Sequence, residues 1–217
     1  MDITVENLGR AGIGFIKRGS IYAIIVAILE FLFISRFTVI INSVTLNGLH
    51  MPAGEYDIFY ILMLISIAGL IILTFGIANY RKGFRNFKDR DTRFSKPFSY
   101  SKYVIVLYII FIIVYVFILA VLPAFNHNTY FPALSSSGTL IHVFLVLLLI
   151  SALIVLIISV LALIGFIYIL IGLYRFSEMV HQEIGELGAI LYIIPIANIV
   201  SPFLIYLASS RAEKLRV

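Results

Sequence analysis

Few residues in this chain have the type and setting to do chemistry, and the sharpest of them is Glu30. It sits inside an apolar run, between Ile28-Leu29 and Phe31-Leu32-Phe33. A carboxylate at such depth costs roughly 2.5–3.5 kcal/mol on insertion scales unless it is paired, protonated or facing water. Two roles follow: a proton or cation site, or a polar lock between helices, hydrogen-bonded to Asn198, Ser201 or a tyrosine hydroxyl. The lock is the favoured reading. Arg36 is six residues on, about 120° around a helix, so it cannot form a simple i,i+4 pair with Glu30. The second constellation is Pro195-Ile196-Ala197-Asn198-Ile199-Val200-Ser201-Pro202. Pro195 and Pro202 lack backbone donors, and Asn198 can bond a carbonyl that they free. Broken helix at membrane depth is tolerated only where it is buried in protein or lines water.

Other reactive types lack partners. His50, His127 and His142 match no metal-ligand spacing, and they do not form a facing pair for haem. No metal and no cofactor are expected. There is no G-x-S-x-G, H-E-x-x-H or P-loop. Ser135-Ser136-Ser137 has no neighbouring Lys or carboxylate and reads as a loop leading into a helix. Gly185 and Gly188 around Glu186 read as a helix end and a new start. With no cysteine, disulfides, thiolate metal sites and cysteine nucleophiles are excluded. The chain is not expected to be an enzyme.

The elements that must hold these residues are set by the charge pattern. Residues 103–174, between Lys102 and Arg175, carry no Asp, Glu, Lys or Arg. Hydrophobic residues make up 62% of the chain and charged residues 12%, against about half and a quarter in soluble domains. The expectation is an all-α, polytopic membrane helix bundle in one domain. A helix needs about 20 apolar residues to cross the hydrocarbon. Four runs qualify: Ser20 to about Ile34, extending to Ile41 if Arg36 snorkels; Ile58 to Tyr80; Tyr103 to Pro123; and Thr139 to Tyr174. The fourth would measure ~54 Å as a helix. Its middle, Leu156 to Ala162, offers no turn residues, so one long tilted helix continuing towards Glu183 is favoured over two spans. Ser151, Ala162, Gly165 and Gly172 lie near one stripe, suited to close packing. The fifth run, Leu187 to Leu207, is either a re-entrant hairpin or a kinked span. A simple span would carry Arg211, Lys214 and Arg216 to the external side, and the hairpin is favoured for avoiding this.

Met1 to Arg18 carries charges before any apolar run, so it reads as an amphipathic surface lead-in (Leu8, Ile13, Phe15, Ile16) rather than a signal. Residues 81–102 form a basic loop with Arg81, Lys82, Arg85, Lys88, Arg90, Arg93, Lys96 and Lys102, whereas residues 42–57 and 124–138 hold no Lys or Arg. The positive-inside rule places the basic loop and the amino terminus in the cytoplasm, in a cell membrane. Arg81, Lys82, Arg85, Lys88, Arg90, Arg93 and Lys96 are candidates to contact anionic lipid headgroups. The interleaved Phe84, Phe87, Phe94, Phe98 and Tyr100 fit the same surface. The acidic turn Glu178, Glu183 and Glu186 is a rival partner for these bases. No nucleic-acid module is present.

Two stretches resemble small archaeal multi-pass membrane proteins of unknown function. They are the lead-in Gly12-Ile13-Gly14-Phe15-Ile16-Lys17-Arg18-Gly19-Ser20 and the turn from Glu183 to Pro195, Glu-Ile-Gly-Glu-Leu-Gly followed by an Ile-Ile-Pro run. The resemblance implies a helical membrane fold and no activity. Residues 194–205 are also similar to a Pro-bounded segment of small chloroplast-import translocon subunits. The favoured function is an accessory or scaffolding subunit of a membrane assembly, binding other subunits or itself. The alternatives are a small transporter or channel built on Glu30 and residues 195–202, and an intramembrane enzyme acting on lipid.

Overall fold

A computed structural model of the chain describes residues 9–29, 53–126, 138–194 and 199–215. All regular structure among them is helical, and four helices are long and apolar enough to cross a membrane. Helix α1 runs Gly9–Leu29, α2 Ala53–Lys88, α3 Ser95–Asn126 and α4 Gly138–Met179. Two shorter helices follow, α5 over Glu183–Leu191 and α6 over Ser201–Leu215. In sequence order, α2 packs on α3, α3 on α4, α4 on α5 and α5 on α6.

Hydrocarbon gives helices no hydrophobic reason to associate, so close approach depends on small residues. On α1 and α2 these are Gly12 and Gly19, and Gly76 and Gly83, each pair seven residues apart. Gly12 faces the Phe87 ring, Gly83 faces Ile16, and Gly19 faces Tyr80 and the Gly76 carbonyl. Ascending numbers on α1 meet descending numbers on α2, so the two helices are antiparallel. Part of the stripe on α4 is an interface within the chain: Gly165 abuts the Tyr100 carbonyl and Val104, Gly172 abuts Phe84 and Pro97, and Ala162 is buried.

The lead-in is not a separate surface helix. From Gly9 onward it is the first part of α1, with Ile13 and Ile16 fully inside the core. The basic segment is also not a loop. Arg81, Lys82, Arg85 and Lys88 sit on the last turns of α2 and Lys96 and Lys102 on the first turns of α3, while Arg90 and Arg93 fall in the tight turn at residues 89–91 and the 3-10 turn at Thr92–Phe94 that join them. Asp91 caps that turn by accepting the Arg93 backbone N–H at 2.9 Å. Phe84, Phe87 and Phe94 are wholly buried rather than interfacial. Phe94 lies 5.3 Å from Phe87, and Phe87 lies 5.7 Å from Phe176 between ring centroids. Surrounded by charged residues, this cluster excludes water rather than lipid. Each ring then contributes about 1.5–3 kcal/mol, which explains why the core gathers at the charged end of the bundle.

α4 is one unbroken helix, as favoured, but it stops at Met179 instead of continuing to Glu183. The stop is a Schellman cap: Gln182 N–H donates to Ser177 O at 2.9 Å and His181 N–H to Glu178 O at 3.1 Å. His181 takes the left-handed position at φ 54°. After it the chain folds as a hairpin, not a kinked span. Gly185 meets Ala208 and Gly188 meets Leu204 and Ile205, so α5 and α6 are antiparallel. The tail returns to the charged end, where Lys17 Nζ lies 2.7 Å from Glu213.

Candidate functional site

The close α1–α2 packing brings two hydroxyls together at the inner edge of the charged end. Tyr80 donates to Ser20 Oγ at 3.2 Å, and Ser20 donates to the Ile16 carbonyl at 3.1 Å. Both residues are buried. Tyr192, just past the end of α5, hydrogen-bonds Tyr80, so one chain of hydroxyls ties α1, α2 and the hairpin together. Phe166 meets the Tyr192 ring edge-on at 6.4 Å.

These groups border a half-enclosed cavity of about 210 Å³, lined by residues that include Ala23, Gly76, Tyr80, Tyr108, Tyr192 and Pro202. A second cavity, about 360 Å³, lies further along α1 and α2 and is lined by Leu29, Ser66, Gly69, Phe111 and Tyr115 among others. Val26 and Leu73 line both. No formally charged side chain among the described residues lines either space.

The structure brings together only part of the expected constellation. Glu30, Asn198 and Pro195 lie outside the described residues, as do Arg36, His50 and His127. Pro202 is buried in the cavity wall, at the first turn of α6, where its missing N–H costs nothing. The Ser201 hydroxyl donates to the Gly188 carbonyl and fastens the hairpin. Among the described residues no group of three or more His, Cys, Asp or Glu could hold a metal ion.

The seven candidate headgroup bases divide by what they touch. Arg81 donates to the Phe98 carbonyl at 3.3 Å and stacks on the Phe98 ring, which Lys88 also covers. Arg90 lies against Gly9, and its Nε and Nη2 are buried without a hydrogen-bond partner among the described residues. Arg93 pairs with Asp91 at 2.7 Å and Glu178 at 3.5 Å, and Arg175 donates to the Arg93 carbonyl at 2.9 Å. Burial would push the Asp91 carboxyl up, but the Arg93 N–H and guanidinium, with Arg175 behind them, hold it below the usual range. Lys82, Arg85 and Lys96 are exposed and form no ion pair among the described residues, Lys82 and Lys96 lying over the Phe15 and Tyr168 rings. The acidic turn therefore takes one base, Arg93, through Glu178.

Residues 10–217 match a family described as protein of unknown function, DUF973. The chain belongs to that family. The match runs from the second residue of α1 past the end of α6, so the family's unit includes the hairpin as well as the four long helices. No curated protein and no solved structure matches the chain.

The tyrosine cluster was not foreseen from the sequence, which directed attention to Glu30 and the prolines. One signal was available. Paired glycines seven residues apart at 12/19 and 76/83 mark where two helices can touch, and Ser20 and Tyr80 adjoin that contact.

Proposed function

We propose that this protein is a non-catalytic accessory or scaffolding subunit of a membrane assembly. The observation that carries this reading is the outer face of the hairpin. Ile190, Ile193, Ile194, Val200 and Phe203 are all substantially exposed, Ile193 at 70%, although the base of the hairpin is fastened to the charged end through Lys17 and Glu213. A short, apolar, firmly based hairpin is a surface for a neighbouring membrane subunit. In this reading the charged end faces the cytoplasm, following the positive-inside rule. Lys82, Arg85 and Lys96 meet anionic headgroups there, each adding about 1 kcal/mol. The archaeal setting and the translocon likeness rest on sequence resemblance. The test is extraction of the tagged chain from its native membrane in mild detergent. A stoichiometric partner protein that is lost on Ile193→Glu supports the role, and migration alone contradicts it.

A second reading, a small transporter, is favoured by one observation: the second cavity is lined by Leu29, the residue before Glu30. Solute flux into liposomes that falls on Glu30→Gln supports it, and flux that is unchanged removes it.

A further inference from the structure

The two cavities differ in chemistry along their length. The one near the charged end has three phenols on its wall, Tyr80, Tyr108 and Tyr192. The other is apolar except for Ser66 and Tyr115. Along α2 the lining runs from Tyr80 back to Ile65, a rise of about 22 Å. That is the dimension of an extended chain, not of a compact solute. Val26 and Leu73 line both, so the two spaces adjoin.

Gly69 is an independent sign that the space is kept open. A Cβ there would meet nothing within 4 Å among the described residues. Glycine weakens a helix interior, and the other glycines of the bundle's close contacts, such as Gly165 and Gly172, abut a neighbour that a side chain would strike. Gly69 abuts none and borders the cavity.

We propose that the adjoining cavities hold one neutral single-chain amphiphile from the bilayer, a long-chain or isoprenoid alcohol or its ester. Its head lies among Tyr80, Tyr108 and Tyr192, and its chain runs past Leu73 to Gly69. The neutrality follows from the lining. A carboxylate, phosphate or ammonium head would lose its water with no opposite charge beside it among the described residues. A hydroxyl or ester exchanges hydrogen bonds with phenols at small net cost. The occupant is independent of the accessory role, since the hairpin's outer face and the cavities are separate surfaces.

The chain has 13 Tyr and no Trp, so its intrinsic emission is tyrosine's and a pyrene-labelled hexadecanol will quench it by energy transfer. The full chain, in maltoside micelles, is titrated with this probe and, in parallel, with pyrene-labelled hexadecanoic acid at a pH where the acid is ionised. The expected result is saturable quenching by the alcohol at one probe per chain, and affinity for the acid weaker by about tenfold or more. Gly69→Leu, which fills the second cavity, should weaken the alcohol by a similar factor while the helical circular dichroism and gel-filtration profile stay unchanged. Non-saturable quenching, equal affinity for alcohol and acid, or a folded Gly69→Leu with undiminished affinity each overturn the proposal. The comparison of alcohol with acid needs no variant, so it decides the matter even if Gly69→Leu does not fold.

Discussion

Replacing Gly165 by alanine adds one methyl group at the closest approach of α3 and α4. The new Cβ would lie 2.6 Å from the Tyr100 carbonyl oxygen and 2.8 Å from Val104 Cγ2. The first of these is backbone, so relief requires the two helices to part. Overpacking of this kind costs about 1–3 kcal/mol, and alanine in a helix interior returns about 0.5–1 kcal/mol relative to glycine. Gly14→Ala is the matched control. It makes the same chemical change in the interior of α1, where a Cβ meets nothing within 4 Å among the described residues, so only the gain of about 0.5–1 kcal/mol remains. The intrinsic term cancels between the variants, leaving a difference of about 1–3 kcal/mol. At about 2–4 °C per kcal/mol for a domain of this size, Gly165→Ala should melt roughly 2–12 °C below Gly14→Ala. The assay is thermal unfolding of both variants in one detergent, followed by near-ultraviolet circular dichroism. Equal shifts, or a Gly165→Ala protein that melts higher than wild type, would refute the α3–α4 contact.

The α4 cap and the basic turn give two further predictions. His181→Gly places the residue that favours a left-handed backbone where a histidine now stands at φ 54°. Relief of about 1–2 kcal/mol of strain, less the entropy glycine loses on folding, should stabilise the chain by up to about 1 kcal/mol. A melting temperature lowered by His181→Gly would contradict the cap. Asp91→Asn keeps the capping oxygen and removes the charge, so at neutral pH it should cost less than about 1 kcal/mol, as an exposed pair does. The folded Asp91 carboxyl titrates below its ordinary value of 3.8. Its contribution is therefore complete above that value and fades as the pH falls through the lowered one. Wild type and Asp91→Asn should converge in stability once the pH has fallen below the lowered value, and a gap that persists in strong acid would show that the charge is not its source.

Long-range order was legible in the sequence where composition carried it, and less so where contact geometry did. The charge-free run from Tyr103 to Tyr174 located α3 and α4, and the lack of turn residues at 156–162 correctly favoured one helix. The return of Arg211 and Lys214 to the charged end was legible as a charge bias, and the α5–α6 packing through Gly185 and Gly188 provides its physical means. The helix stop at His181 was not legible. A Schellman position is normally marked by glycine, and here the nearest glycine is Gly185, inside α5. Phe84, Phe87 and Phe94 read as interfacial in the sequence because aromatic residues among bases look alike there whether they face lipid or one another. The packing of α1, α3 and α4 around the end of α2 buries them. The hydroxyl chain through Ser20, Tyr80 and Tyr192 joins residues far apart in sequence, and no local pattern announces it.

The proposed threading puts the amino-terminal half of α1, the turn between α2 and α3, and the tail of α6 on one face of the membrane, the cytoplasmic one, with the hairpin entering and returning. The chain has no cysteine, so single-cysteine variants need no further change. Arg10→Cys, Asp89→Cys and Lys214→Cys place a thiol at three exposed positions of that end, and Asn128→Cys places one in the segment between α3 and α4. Labelling with a membrane-impermeant maleimide is compared in right-side-out and inverted vesicles. The account predicts that the first three react only in inverted vesicles and Asn128→Cys only in right-side-out ones. Reaction of Lys214→Cys from the side opposite to Asp89→Cys would make the last segment a fifth span and contradict the account.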